Sequence, residues 1–251
     1  MGIQCTVMAG IAEVVVERPP VNALDVAGWF ELAAVITNAG ENPEVRVVLL
    51  RAEGRGFNAG VDIKEMQAAE GFDALVGANR GCYAAFKAVY ECEVPVIAAV
   101  QGYCLGGGVG LVGNADVVIA SEDATFALPE VDRGALGAAT HLSRLVPQHR
   151  MRAMVYTAEP ISAEELHRYG SVLEVVPRAE LRDAAMRVAE KLATKDPRVL
   201  RAAKASLNSI DPVDVNRSYR MEQGFTFELN LIGAGDEARD AFVAGKAKER
   251  K

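Results

Sequence analysis

Cysteine is scarce in this sequence, and no segment has the composition of a signal peptide or a membrane helix. Four cysteines in 251 residues, none in a CxxC pair, are too few and too scattered for a disulfide framework or a thiolate zinc site. The first twenty residues lack the basic region and apolar run of a signal peptide. The longest uncharged stretch, residues 94–115, is interrupted by glycines and by Pro95, which predicts a buried strand and turn rather than a membrane helix. We expect a reduced, cytoplasmic protein without a membrane span.

Positive charge and aromatic side chains are also in short supply. Lysine and arginine total 27 against 34 aspartates and glutamates, a net charge of −7, and only 6% of the residues are aromatic. An acidic chain is a poor candidate for coating nucleic acid, because binding to phosphates needs a cationic surface. Half of the residues are apolar, as in globular proteins with a sizeable core. The length of 251 residues suits one large domain or two modest ones.

Short apolar, β-branched runs alternate with helical stretches through the first half of the chain. This alternation predicts parallel β-α units and therefore an α/β fold. Strands are predicted at residues 11–17, 45–50, 95–100, 117–120 and 172–176, and helices at residues 26–39 and 72–90, with a short one after residue 106. After about residue 134, helices are predicted at residues 142–157, 163–169, 179–194, 197–208, 213–231 and 236–244. We divide the chain into an α/β core (1–195) and a helical region (196–251) within one structural domain.

Residues 108–113 spell GxGxxG directly after a predicted strand, so a dinucleotide site has to be considered. Such a site needs a helix of about a dozen residues, a second parallel strand and an acidic residue about 20 positions further on. Here the strand at residues 117–120 begins too soon after Gly113 for a crossover helix to fit. No GK[ST] sequence follows either, which excludes a P-loop.

Two glycine-containing loops instead follow predicted strands, at residues 56–62 and 102–108. Consecutive glycines let the backbone approach a ligand closely, and the N–H groups that open a helix have no partner within it. Such donors stabilise negative charge. Two loops at the carboxyl ends of two strands could give one N–H each to a single oxygen, which is the geometry of an oxyanion hole. The alternative is that both loops are only tight turns.

Several longer motifs resemble the crotonase (enoyl-CoA hydratase/isomerase) superfamily, in that family's order and over nearly the whole chain. They are RPPVNAL (18–24), FNAGVDIKE (57–65), PVIAAVQGY (95–103), LGGG (105–108), FALPE (126–130) and LSRL (142–145). The resemblance implies a spiral of ββα units with a C-terminal helical trimerisation region, assembled as a homotrimer or a hexamer. It also implies a coenzyme A thioester substrate, with no separate cofactor and no metal, whose enolate is stabilised by two backbone N–H groups.

Carried over by position, the resemblance implies that the N–H groups of Val61 and Gly107 form the oxyanion hole. Contacts to the adenine and pantetheine parts of coenzyme A are then expected near the following residues, mostly through backbone atoms: Ala23, Ala59, Asp62 and Ile63. Lys64, Lys246 and Lys248 are weaker candidates for contacts with the coenzyme A phosphates, and each could equally be an ordinary solvated lysine.

The hydratases of this superfamily use two glutamates to add water across a double bond. One corresponds to Glu130, whereas the other position is occupied by Gly110. A single carboxylate does not hold and activate water in the same two-point way, so simple enoyl-CoA hydration is not favoured. Ala138 stands where some isomerases and dehalogenases of the family carry an aspartate, which argues against those reactions too.

Three further runs, at residues 55–66, 134–141 and 219–230, resemble one subgroup of hydrolases that open a five-membered ring ketone during steroid breakdown. This resemblance implies a retro-Claisen reaction, in which water adds to the ketone and a C–C bond breaks. Glu130 is the first candidate for the base, with Asp132 and His141 as alternates. Two other functions stay open: an enoyl-CoA hydratase or isomerase of fatty-acid metabolism, and a non-catalytic module that binds coenzyme A or another subunit.

Overall fold

A computed structural model describes residues 2–68 and 71–244. Its strands are β1 (Gly2–Met8), β2 (Ile11–Glu17), β3 (Val47–Ala52), β4 (Val96–Val100), β5 (Tyr103–Leu105), β6 (Val117–Ser121), β7 (Thr125–Ala127), β8 (Ile161–Ser162) and β9 (Glu174–Val176). Six of them form one sheet in the order β1-β2-β3-β4-β6-β9, which is parallel except for the antiparallel β1–β2 pair. The strands β5, β7 and β8 form a second, smaller sheet.

The central strands of the large sheet are buried on both faces, which explains their continuous apolar sequences. In β3, Val47 and Leu49 belong to one hydrophobic cluster and Val48 and Leu50 to another. Successive side chains of a strand point to opposite faces, so the two clusters are the two faces of the sheet.

Helices cover both faces of the large sheet. The helices of the described residues are α1 (Val26–Glu41), α2 (Ile63–Ala68), α3 (Asp73–Tyr90), α4 (Gly107–Asn114), α5 (Ala139–Leu142), α6 (Gln148–Thr157), α7 (Ala163–Tyr169), α8 (Leu181–Ala193), α9 (Pro197–Ser209), α10 (Val215–Leu231) and α11 (Ala234–Val243), with 3₁₀ turns at Pro129–Arg133 and Arg178–Glu180. Helices α1 and α3 pack together on one side, and α8 covers β3, β4 and β6 on the other. In the described part of the chain, no helix is long and apolar enough to cross a bilayer.

The predicted α/β architecture is confirmed, with differences in detail. The strand expected at residues 45–50 lies at Val47–Ala52. The helix expected at residues 142–157 is divided into α5 and α6, because Pro147 lies at the start of α6 and interrupts the helix. Helix α7 begins at the N-cap residue Ser162, whose Oγ accepts a hydrogen bond of 3.2 Å from the Glu165 N–H. The strands β1, β5, β7 and β8 and the helix α2 were not predicted.

The C-terminal helices are joined to the core by polar contacts. Lys204 of α9 is only 4% exposed and forms a 2.6 Å ion pair with Asp116, beside the start of β6. On α10, Glu222 accepts hydrogen bonds from the N–H groups of Ala139 and Thr140, at 2.9 and 3.1 Å. These bonds satisfy helix-opening donors of α5 that have no intrahelical partner. The helical region is therefore attached to the core at two places, the start of β6 and the helix α5 that follows the 3₁₀ turn at Pro129–Arg133.

Candidate active site

Two loops come together at the carboxyl ends of β3 and β4. Asn58 connects them, because its carbonyl accepts a hydrogen bond from the Leu105 N–H of the other loop at 2.9 Å. Its side-chain oxygen accepts from the Gly60 N–H of its own loop at 2.8 Å. Within the described residues, neither the Val61 N–H nor the Gly107 N–H donates a hydrogen bond. Both predicted oxyanion-hole donors are therefore available to a ligand.

The close approach of these loops depends on glycine. Gly60 has a φ of +85°, and a Cβ atom there would lie 3.4 Å from the Gly107 nitrogen. A Cβ at position 107 would lie 2.7 Å from the ring of the fully buried Trp29, closer than real contacts allow. The absence of side chains at these two positions lets the backbones touch, which brings the Val61 and Gly107 donors to one site.

A cavity of about 140 Å³ lies beside the two donors. Its walls come from the loop before α2, from α3, from the start of α4, from the 3₁₀ turn at Pro129–Arg133, and from α10 and α11. Most of the lining is apolar; the polar side chains are Asn79, Glu130, Arg133, Tyr219, Thr226, Asn230 and Arg239. An apolar cavity with a few polar groups is typical of a small-molecule site.

Among the described residues that line this cavity, Glu130 is the only one with a carboxylate. It lies against Gly106, since a Cβ atom at Gly106 would overlap Glu130 Oε1. The other oxygen, Oε2, is buried and has no hydrogen-bond partner among the described residues. Burial, with a smaller contribution from Glu222, raises the pKa of Glu130 to about 8 against the opposing effects of a backbone hydrogen bond and of Arg133. A carboxylate with such a pKa is suited to accept a proton near neutral pH.

Asp132, an alternate candidate for the base, is not among the residues that line the cavity. A 3₁₀ helix has three residues per turn, so side chains three positions apart share a face. Glu130 and Arg133 therefore both face the cavity, and Asp132 points elsewhere and is exposed. Arg133, rather than Asp132, is the second charged group of this turn at the site.

His141, the other alternate candidate for the base, is also not among the residues that line the cavity. Its ring is 2% exposed and packs behind two lining residues, with centroid distances of 4.9 Å to both Phe86 and Tyr219. Neither ring nitrogen has a hydrogen-bond partner among the described residues. Burial, and secondarily Arg144, lowers the pKa of His141 to about 3. The ring is therefore neutral and supports the cavity wall from behind.

Comparison with known proteins shows the family of this chain. The model of the family described as enoyl-CoA hydratase/isomerase matches residues 6–230. The chain belongs to the enoyl-CoA hydratase/isomerase family. A hydrolase of (7aS)-7a-methyl-1,5-dioxo-2,3,5,6,7,7a-hexahydro-1H-indene-carboxyl-CoA from Mycobacterium tuberculosis is 68% identical over 234 residues, covering 93% of this chain and 95% of the relative.

Two more similarities extend over almost the whole length. A protein of the same name from Rhodococcus jostii is 65% identical over 244 residues, covering 97% of this chain and 95% of the relative. Among solved structures, an enoyl-CoA hydratase/isomerase from Xanthobacter autotrophicus Py2 superimposes with a TM-score of 0.88 at 29% identity, covering 98% of this chain and 94% of that one. The crotonase-type fold expected from the sequence motifs is thus confirmed.

Gly110 shows how this member of the enoyl-CoA hydratase/isomerase family differs from a two-glutamate hydratase. The aromatic ring of Phe86 occupies the place that a side chain at position 110 would take, with Cε1 at 2.6 Å from a Cβ atom built there. Phe86 itself is 2% exposed and lines the cavity. The position expected for a second glutamate is therefore filled by an aromatic wall.

The residues predicted to contact coenzyme A fall into three groups. Ala59 and Ile63 line the cavity. Ala23 and Asp62 flank the backbone bridge between Leu24 and Val61, where the Asp62 N–H donates to the Leu24 carbonyl at 2.9 Å. The third group comprises lysines: Lys64 is exposed, and Lys246 and Lys248 lie outside the described residues.

Sequence reasoning did not assign Tyr219 or Asn79 to the site. Tyr219 comes from α10 and Asn79 from α3, and both line the cavity. Nothing in their local sequence reveals this, because the contact depends on α10 packing against α3 and α5. The one available signal is that Tyr219 opens the run at residues 219–230 shared with the hydrolase subgroup.

Proposed function

We propose that this protein hydrolyses a C–C bond of a cyclic ketone that carries a coenzyme A thioester, in a retro-Claisen reaction of steroid breakdown. The substrate we propose is the bicyclic indene-dione carboxyl-CoA in the names of its relatives. The observation that carries the proposal is a single cavity carboxylate, Glu130, combined with an aromatic ring where a hydratase needs its second acid. One base suffices for attack of water on a ketone, whereas hydration in this family uses two.

Glu130 begins the proposed reaction by accepting a proton from water as the water oxygen bonds to the ring-ketone carbon. The bond between that carbon and its ring neighbour then breaks, and the electron pair is delocalised onto the thioester oxygen. The N–H groups of Val61 and Gly107 stabilise this oxygen. Glu130 returns the proton to carbon, so that the substrate and one water give a ring-opened carboxylic acid that still carries coenzyme A.

The remaining expectations belong to the same proposal. Coenzyme A would lie along the following residues: Ala23, Ala59, Asp62, Ile63 and Lys64. A homotrimer or a hexamer would bury large apolar side chains that α9 and α10 expose, among them Val199, Leu207, Met221 and Phe225. Exposed apolar side chains gathered on neighbouring elements favour an interface. We further propose that the protein acts in the cytoplasm, without a cofactor or metal beyond its thioester substrate.

Two substrates separate the candidate functions. The purified protein is incubated with the indene-dione carboxyl-CoA and, separately, with crotonyl-CoA. We expect turnover of the first and little of the second. Rapid hydration of crotonyl-CoA alone would identify an ordinary hydratase, and turnover of neither would favour a non-catalytic module; either result overturns the proposal.

A variant of Glu130 and a control variant of Glu228 test the proposed base. Glu130→Gln should lower turnover by at least about 100-fold, the scale of lost general acid–base catalysis. Glu228→Gln, on an exposed glutamate of α10, is the matched control and should leave turnover unchanged. Unchanged turnover of Glu130→Gln would remove Glu130 from the mechanism.

A further inference from the structure

The proposed reaction places negative charge on two different oxygens. Addition of water turns the ring-ketone oxygen into an oxyanion, and cleavage of the C–C bond then moves charge to the thioester oxygen. The Val61 and Gly107 N–H groups, which both border the cavity, are assigned to the thioester oxygen in the proposed reaction. Stabilisation of an oxyanion in a dry cavity requires preorganised donors at the position where charge develops. The ketone oxygen therefore needs a donor of its own.

Most polar side chains of the cavity already donate to other groups. The single hydroxyl proton of Thr226 is used in a 2.6 Å hydrogen bond to the Leu136 carbonyl. The Asn230 amide donates to the Thr226 carbonyl at 2.7 Å. Arg239 donates to Asn230 at 2.8 Å and also pairs with Asp236. Each of these three residues therefore has a donor engaged in a hydrogen bond within the protein.

Tyr219 lines the same cavity as Glu130 and carries a hydroxyl group. The residue is 5% exposed, and its ring lies 5.1 Å from Phe86 and 4.9 Å from His141, measured between centroids. Two aromatic neighbours fix the ring, and the helix α10 fixes its backbone. We propose that Tyr219 is a catalytic residue whose hydroxyl donates a hydrogen bond to the ring-ketone oxygen and stabilises the oxyanion formed when water adds.

The chemical state of Tyr219 suits this role. Burial, with smaller effects from Cys82 and Glu222, raises the pKa of Tyr219 well above its usual value. The phenol therefore keeps its proton at neutral pH and acts as a donor. Because it is neutral, it also leaves the pKa of the nearby Glu130 high, whereas a cation in its place would stabilise the carboxylate, lower that pKa and weaken Glu130 as a base. This inference rests on the proposed function, since an enoyl-CoA substrate has no ring ketone.

Tyr219→Phe tests the inference, because it removes only the hydroxyl and keeps the ring contacts with Phe86 and His141. We expect kcat for the indene-dione carboxyl-CoA to fall by about 100-fold, the effect of losing one oxyanion-hole donor. KM should change little, since the lost bond strengthens mainly in the transition state. The inhibition constant of cyclohexanecarboxyl-CoA, which has no ring ketone, should be the same as for the wild type and shows that the variant is folded.

Tyr83→Phe is the matched control. Tyr83 lies on α3, outside the cavity lining, with Arg220 above its ring at 5.3 Å, and the change should leave kcat unaltered. A Tyr219→Phe kcat within about threefold of the wild type would overturn the inference and leave the proposed function intact. A large loss of kcat in Arg133→Met with no loss in Tyr219→Phe would also overturn the inference, because that result would assign the donor to the ketone oxygen to Arg133. No hydrolysis by the wild type would refute the proposed function itself.

Discussion

Gly110→Ala should destabilise this protein, although a glycine-to-alanine change within a helix usually increases the stability of a protein. Gly110 lies inside α4, and its backbone is buried. A methyl group there would meet three atoms of the Phe86 ring, the farthest at 2.6 Å. The ring cannot move aside easily, because Trp29, His141 and Tyr219 pack around it at centroid distances of 5.7, 4.9 and 5.1 Å.

The size of the effect is a balance of two opposite contributions. Replacing glycine by alanine within a helix stabilises by about 0.5–1 kcal/mol, because the unfolded chain loses freedom. Forcing an extra methyl group into a well-packed core costs about 1–3 kcal/mol. We therefore expect a net destabilisation of about 1–2 kcal/mol, where each kcal/mol lowers the melting temperature by about 2–4 °C in a chain of this size.

Gly224→Ala is the matched control for this measurement. Gly224 lies within α10, and a Cβ atom there would have no neighbour within 4 Å. Calorimetry or denaturant unfolding should show that Gly224→Ala raises stability by about 0.5–1 kcal/mol, whereas Gly110→Ala lowers it. Phe86→Leu should relieve part of the cost of Gly110→Ala, as expected for residues in contact. A Gly110→Ala protein as stable as Gly224→Ala would refute the assignment of Phe86 to the missing glutamate's place.

Three further outcomes follow from the contacts. The pKa of Glu130 is about 8 in the folded protein against 4.5 for an ordinary glutamate, so between these pH values the folded state holds a proton that the unfolded state releases. The melting temperature should therefore fall as pH rises from about 4.5 to 8. Glu130→Gln should abolish this component of the decline. Lys204→Met, which breaks the buried pair with Asp116, should cost on the order of 3 kcal/mol in urea unfolding. Glu222→Gln should cost about 1–2 kcal/mol by weakening the two bonds to the start of α5, while Glu228→Gln should be neutral in the same assay.

The central strands could be predicted from the sequence because burial on both faces leaves an uninterrupted apolar run, as in β3 and β4. The strands β5 and β7, three residues each, are too short to show a pattern. The two glycine-containing loops beside the cavity carry a local signal because close backbone contact requires glycine at fixed positions, such as Gly60 and Gly107.

Side-chain direction and long-range packing could not be predicted in this way. The sequence alone does not distinguish Asp132 from Arg133 as a cavity residue, since the answer depends on the three-residue period of the 3₁₀ turn. His141 resembles a pocket residue in sequence, yet Phe86 and Tyr219 separate it from the cavity. Tyr219 reaches the site only because α10 folds back across α3 and α5.

Hydrolysis of the indene-dione carboxyl-CoA in water enriched in oxygen-18 tests the central claim most directly. Mass spectrometry should find a product that still carries coenzyme A, is heavier than the substrate by one water molecule, and has the heavy oxygen in the new carboxyl group. Glu130→Gln should form this product at least about 100-fold more slowly. Release of free coenzyme A with the label in the thioester-derived carboxylate, and the ring intact, would contradict C–C bond hydrolysis at this site.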